Sequence, residues 1–419
     1  MDVTTPVVVL RPVRHGGLGV VRSLGRLGIP VYAVDHDPRM PAFASKYCKG
    51  AFIWDFERAD PEQSATHLVS IARKIGKAIL IPTTDATALF VSTHADILRD
   101  WFTFPSISPS LTHSLCNKKE MFFLAKRLGV PTPDTFFPQS RDEVLQYAKE
   151  ARLPIIIKPI QGVRASRQSS KKAIVGSQED LITKYDSMET PESPNLMLQE
   201  YIPGGEEANW MFNGYFDANF QCVFGLTGRK IRQHPPNAGV TTLGVCLPNQ
   251  TLTEITMRFM AAVGYRGVLD IGYRYDARDD LYKVFDVNPR VGCTFRLFVS
   301  DNGMDVARAL YLDLTSQPIC AGHARKGRRW LVEDLDAVSS FYYWRESKLG
   351  FEEWLNSFRG LEESALFARD DLKPILRLMV NDCRSLLAKS SRERRGLRHA
   401  TSVTRSHLQE NPGGTNTAL

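Results

Sequence analysis

GVLDIGYRYDARDDLYKVFDVNPR, residues 267–290, decides the fold. Two runs rich in aromatic and β-branched residues flank a short charged turn, ARDD, which predicts a pair of antiparallel strands. Side chains two apart on a strand share a face, so Asp286 and Asn288 converge, and Asp270 on the neighbouring strand can add a second carboxylate. Oxygen ligands of this kind beside a phosphate chain suit Mg²⁺, with a nucleotide supplying the remaining oxygens. Arg290, again two residues on, faces the same side, where it could make paired hydrogen bonds to a transferring phosphoryl group. The bland alternative is a surface hairpin with solvated charges.

Three upstream segments bear on that choice. In PIIIKPI (154–160), Lys158 stands at the end of an apolar strand, where low-dielectric walls strengthen its hold on an anion; a strand-edge lysine that discourages pairing is the plainer reading. Lys118 opens the helix predicted over 117–130, a place where a cation is mildly unfavourable, although Glu120 could neutralise it. LQEYIPGGEE (198–207) is a strand end followed by a Pro-Gly turn, able to set backbone groups against an adenine edge and Glu206 or Glu207 near ribose hydroxyls. Between that turn and the hairpin lies GRKIRQHPPNAGVTTLG (228–244), the candidate substrate segment. If its strand keeps period two, Lys230 and Arg232 face one way and Arg229 the other; the Lys230/Arg232 side is favoured because it leads to His234, which could deprotonate an incoming ammonium or be a satisfied structural histidine.

Outward from this centre, residues 7–11 and 29–35 read as strands separated by a helix over 20–28, with the glycines of HGGLG (15–19) punctuating the first strand's end. A third strand at 77–85 follows a helix at 61–76, so the first hundred residues predict a parallel-sheet α/β unit. The expected organisation is 1–112, an N-terminal α/β domain; 113–195, a small domain; 196–387, a larger core with a C-terminal extension; and 388–419, a disordered basic tail rich in Arg, Ser, Thr and Gly. The fold class is thus mixed α/β and α+β, multidomain.

The chain of 419 residues carries a net charge of +7, but from Arg384 onward seven Lys or Arg stand against two Glu, a net of +5 that leaves only +2 for residues 1–383. A nucleic-acid partner is therefore disfavoured. No stretch is long and apolar enough to span a bilayer, no secretory signal is visible, and seven scattered cysteines without a C-x-x-C pair suit a reducing, cytoplasmic setting.

Taken in order, HGGLGVVRSLGRLGIPVYAVD, NKKEMFFLAKRLGVPTPDT, IIIKP, LQEYIPGGE, GRKIRQHPPNAG, GVLDIGYRYD and FDVNPRVG resemble the motifs of the ATP-grasp superfamily, and within it the bacterial carboxylate–amine ligases similar to D-aspartate ligase; RRWLVEDLDA (328–337) and ARDDLKP (368–374) resemble that group's C-terminal signature. The resemblance implies an α/β domain preceding an ATP-grasp small (lid) domain and core, with ATP held between two antiparallel sheets. It further implies phosphate contacts from Lys118 and Lys158, an adenine contact near Gln199 and Glu200, hinge backbone at Tyr201 and Ile202, and a ribose contact at Glu207 or Glu206. Asp270, Asp286 and Asn288 match the Mg²⁺ ligands, and Arg290 the arginine beside an acyl phosphate. Implied partners are small carboxylate and amine substrates, with a homodimer left open. One departure stands out: where many members have a glycine-rich loop after the lid lysine, this chain has QGVRASRQSSKK (161–172), in which Ser166, Ser169 or Ser170 and the loop N–H groups could still cap phosphates, or Arg164 or Arg167 serve instead. Two other classes compete. A dinucleotide oxidoreductase is suggested by HGGLG and Asp35, although Arg22 stands where the last fingerprint glycine belongs; a non-catalytic ATP-binding regulator is the other.

Overall fold

The computed structural model describes residues 1–160, 172–190, 192–236 and 239–381. The serines and arginines of the 161–171 loop and the tail 388–419 lie outside the described residues.

Five parallel strands form the N-terminal sheet: β1 (Val7–Leu10), β2 (Val31–Asp35), β3 (Cys48–Ile53), β4 (Ala78–Pro82) and β5 (Phe102–Thr103), in the order β3-β2-β1-β4-β5. β1 is apolar at every position and fully buried, as expected of a strand covered on both faces. The HGGLG glycines do not form a loop. The helix Arg14–Gly25 begins directly after β1 and includes them. They are small because the helix is tightly hemmed in: a Cβ on Gly17 would fall 2.1 Å from the Pro12 Cα, and one on Gly16 2.9 Å from the Cys293 Cα. Asp35, the acid that with HGGLG suggested a dinucleotide fingerprint, is fully buried and paired with Arg11 at 3.4 Å.

The small sheet comprises β6 (Thr135–Phe136), β7 (Ile155–Pro159), β8 (Ala173–Val175) and β9 (Leu196–Glu200), ordered β6-β9-β7-β8 with antiparallel pairings. Ile155 and Ile157 pack into a core shared with the helices Arg141–Glu150 and Gln178–Met188. Strand alternation therefore turns Ile156 and Lys158 to the other face. β9 pairs along β7, so this sheet runs on to Glu200, past the boundary expected at 195.

The large sheet contains β10 (Asn209–Phe216), β11 (Cys222–His234), β12 (Val240–Cys246), β13 (Gly267–Asp276), β14 (Leu281–Asn288), β15 (Arg329–Leu331) and β16 (Leu361–Ser364), ordered β14-β13-β10-β11-β12-β15-β16. All pairings are antiparallel except β15 with β16. One face packs on the helix Gln250–Ala262, the other on 291–314 and the helix Arg14–Gly25. The hinge after β9 is tied to the β13–β14 hairpin: Arg274 donates to the carbonyls of Ile202 (2.8 Å) and Gly204 (2.6 Å), while Glu200 meets Arg278 (2.8 Å) and Lys283 (3.2 Å). Among the described residues no helix is long and apolar enough to cross a membrane.

Candidate active site

A cavity of about 530 Å³ opens between the small and large sheets, with the N-terminal sheet contributing one corner. Its floor is the β13–β14 hairpin. Asp270 lies opposite Asn288 and Gly272 opposite Asp286 in the ladder, which brings the three predicted ligands to one face. Asn288 Nδ2 donates to Asp286 at 3.0 Å, and Arg290 Nη2 donates to Asn288 Oδ1 at 2.9 Å. Arg290 Nη1 stands 4.0 Å from Asp270, and its Nε donates to Asp85 at 2.8 Å. Burial pushes the Asp270 carboxyl up to about 6 against the pull of Arg290. Burial also opposes ionisation of Asp286, but Lys118, the Asn288 amide and Arg290 outweigh it and hold that carboxyl below its ordinary value. Among the described residues no three His, Cys, Asp or Glu side chains form a ligand group. Two carboxylates and one amide oxygen instead share a wall with cations, a donor set that fits a hard, octahedral cation completing its shell with phosphate oxygens and water.

The opposite wall is cationic. Lys158 is 5% exposed, and burial, with Lys172 and Lys118 adding repulsion, lowers its pKa to about 7. Such a lysine is costly without an anion nearby. Lys118 sits at the first turn of its helix, capped by Asn117, and reaches the Ile160 carbonyl at 3.4 Å. Glu120 does not neutralise it: that carboxylate is turned to His113 (3.1 Å) and Ser114 (2.8 Å).

Beside this cavity a narrower one of about 90 Å³ is lined by Ile156, Gln199, Glu200, Tyr201, Ile202 and Phe285. Apolar side chains on two sides with strand-end backbone between them suit a flat heterocycle. Gln199 donates to Thr135 Oγ1 at 2.8 Å, and the Tyr201 N–H to the Pro154 carbonyl at 3.1 Å. The expected ribose contacts are not in this lining. Glu207 folds back onto the Gly205 N–H at 3.0 Å, and Glu206 accepts from Tyr343 (2.5 Å) and Asn209 (3.2 Å).

The substrate segment needs a correction. Lys230 and Arg232 do not share a side, because the β11–β12 register shifts between them. The bulge leaves Lys230 in the cavity wall, bonded to the Gly239 carbonyl at 2.8 Å, and turns Arg232 into the protein. There Arg232 is 3% exposed and forms a two-pronged pair with Asp336 at 2.9 and 2.7 Å. Arg229 is also outside the lining. His234 does line the cavity, and its Nδ1 is buried without a partner among the described residues.

The sequence reading missed Asp85, Lys172, Cys293 and Thr294 as lining residues. Lys172 was visible only as one of several loop cations. Asp85 carried a usable signal, its place directly after an apolar strand of a parallel sheet.

No family model matches the chain. In sequence it is similar to D-aspartate ligase of Enterococcus faecium, 27% identical over 246 residues that cover 56% of this chain and 58% of that enzyme. The chain thus spans less than two thirds of this curated relative. In structure it is similar to N5-carboxyaminoimidazole synthetase of Staphylococcus aureus (TM-score 0.60, 11% identity, 78% of this chain and 82% of that one). The biotin carboxylase domain of Hydrogenobacter thermophilus 2-oxoglutarate carboxylase, solved with MgADP and bicarbonate, is also similar (TM-score 0.58, 16% identity, 78% and 73%). Sheet order, motif order and these likenesses together show an ATP-grasp fold, similar in sequence to D-aspartate ligase and in structure to carboxylate–amine ligases.

Proposed function

We propose that the chain is an ATP- and Mg²⁺-dependent ligase that activates a small carboxylate as an acyl phosphate and joins it to an amine, with amino-acid-like substrates. The observation that carries this reading is the single cavity in which Lys118, Lys158, Lys172 and Arg290 face Asp270, Asp286 and Asn288. A carboxylate is a poor acyl donor because oxide is an impossible leaving group. Transfer of the γ-phosphoryl group to its oxygen, with cleavage of the bond to ADP, supplies a good one. Amine nitrogen then attacks the acyl carbon, the carbon–oxygen bond to phosphate breaks, and an amide, ADP and phosphate result.

The protein's contribution is position and charge. Lys118 and Lys158 hold the phosphates, Gln199, Tyr201 and Ile202 hold the base, and Arg290 neutralises charge on the transferring group. Asp270, Asp286 and Asn288 would hold Mg²⁺, which supplies charge neutralisation across the phosphates. Lys230 is the substrate-side cation and His234 the candidate acceptor of the amine's proton. The small sheet reads as a lid over the large one, shielding the acyl phosphate from water. Free cysteines, six of them among the described residues, accord with a cytoplasmic setting.

The test is a screen of amino acids in pairs with ATP and Mg²⁺, following ADP and product mass. ADP release that needs two compounds, with a product weighing their sum less one water, is expected. ATP hydrolysis with no coupled product across all pairs would leave only an ATPase.

A further inference from the structure

The parallel sheet carries an unassigned part of the site. In its order β3-β2-β1-β4-β5 the chain moves outward from β1 through β2 to β3, then returns to β4 and moves the opposite way to β5. Connectivity therefore reverses between β1 and β4. The crevice outside the carboxyl ends of strands at such a reversal is where open parallel sheets bind ligands. Thr83, just past β4, spans that crevice by donating its hydroxyl to the Leu10 carbonyl at 3.2 Å, and Asp85 follows it at the start of the helix Asp85–Thr93.

Asp85 faces the cavity with its side chain 47% exposed. One carboxylate oxygen takes the Arg290 Nε–H at 2.8 Å; the other makes no hydrogen bond among the described residues. The other carboxylates of the described lining, Asp270 and Asp286, belong to the hairpin cluster. An amine substrate arrives as an ammonium, and the rest of this cavity's charge is strongly cationic. The anion open to it stands beside the guanidinium that would hold the acyl phosphate.

We propose that Asp85 binds the ammonium group of the amine substrate, so that the N-terminal sheet delivers the nucleophile to the acyl carbon beside Arg290. This rests on the ligase reading above and adds the amine's side of the site to it. A charge-assisted contact to an ammonium would occupy the oxygen that Arg290 leaves open among the described residues.

The test compares wild type with Asp85→Asn, which keeps a similar size and an oxygen for Arg290 Nε, and with Asp85→Glu, which keeps the charge. The acid and amine are the pair that releases most ADP in the screen above. Hydroxylamine, largely uncharged at neutral pH, replaces the amine in a second assay: its nitrogen attacks the acyl carbon, phosphate leaves, and a hydroxamate is measured. In Asp85→Asn the KM for the amine should rise at least about tenfold, a hydrogen bond to a charged group being lost. Hydroxamate formation should fall far less, and Asp85→Glu should lie nearer wild type in amine KM. An unchanged amine KM overturns the assignment. So does a fall in hydroxamate formation equal to the loss of coupling, since Asp85 would then act only through Arg290. Wild type that forms neither hydroxamate nor coupled product fails the ligase reading itself, a result separate from either.

Discussion

At the scale of single residues, two positions expose the logic of the site. Lys158 is buried, and burial with the neighbouring lysines lowers its pKa and opposes its charged form, so an incoming polyphosphate relieves an existing cost. Lys158→Ala should bind Mg-ATP more weakly by calorimetry and lose on the order of 2–4 kcal/mol of transition-state stabilisation; equal affinity in both proteins would remove it from the phosphate site. Gly292 acts through space alone. A Cβ there would lie 2.1 Å from Asp270 Oδ2 and 2.8 Å from its Cβ, so no rotation of the Asp270 carboxylate relieves the clash. Gly292→Ala should therefore displace Asp270 and weaken Mn²⁺ binding in the presence of ADP, read by electron paramagnetic resonance, by roughly 10–100-fold. Unchanged metal binding would show that Asp270 is not a ligand.

Between elements, the important joint is the one where the hinge after β9 meets the β13–β14 hairpin. Asp276, fully buried, takes bonds from Arg278 and from Lys283 at 2.7 Å, and both cations also reach Glu200 at the end of β9. The hydrogen bonds from Arg278, then Lys283, outweigh burial and hold the Asp276 carboxyl far below the ordinary value of 3.8. A carboxyl whose folded pKa is depressed stabilises the fold above its unfolded pKa, and that contribution is lost as pH falls. Melting temperature should thus fall as the medium is taken from about pH 5 to pH 3, and fall less steeply in Asp276→Asn, which has no proton to gain. Parallel curves for the two proteins would show that the joint does not sense acid. The β11 bulge is the other feature of this scale: one irregular residue separates a cavity lysine from a buried arginine two positions on.

Over the whole molecule, the two ends of the described chain are fastened together. Arg22, on the first helix, is 4% exposed and bonds Asp371 at 3.0 Å, the Leu366 carbonyl at 2.9 Å and the Ala365 carbonyl at 3.1 Å. Asp371 in turn accepts from Ser45 at 2.6 Å and the Lys46 N–H at 3.0 Å. Arg22→Ala leaves a buried carboxylate without its cation and should cost about 3–5 kcal/mol of stability, seen as a lower denaturant midpoint. A midpoint within error of wild type would mean that the C-terminal segment docks without this pair. Arg22 is also the residue that broke the dinucleotide fingerprint, and its place under the C-terminal segment shows what it does instead.

What the sequence determined by itself was local and periodic. Apolar strands at 7–11 and 154–160, the hairpin around ARDD and the convergence of Asp286, Asn288 and Arg290 follow from spacing along one or two strands, where alternation dictates the face. The resemblance to the ATP-grasp motifs was legible for the same reason, since those motifs are short runs read in order. Tertiary structure decided whatever depended on a neighbour distant in the chain. The HGGLG glycines look like a loop until the Cys293 backbone is seen against them. Arg232 looks like a substrate contact until the bulge turns it to Asp336, 104 residues away. Glu206 and Glu207 are drawn off by Tyr343 and by the turn's own backbone. Asp85 enters the site only because the parallel sheet packs its β4 loop against Arg290, 205 residues downstream. Side-chain type and period specify which face a residue takes, but a buried charge goes to the partner that can satisfy it, and that partner is chosen by packing between elements that the local sequence does not encode.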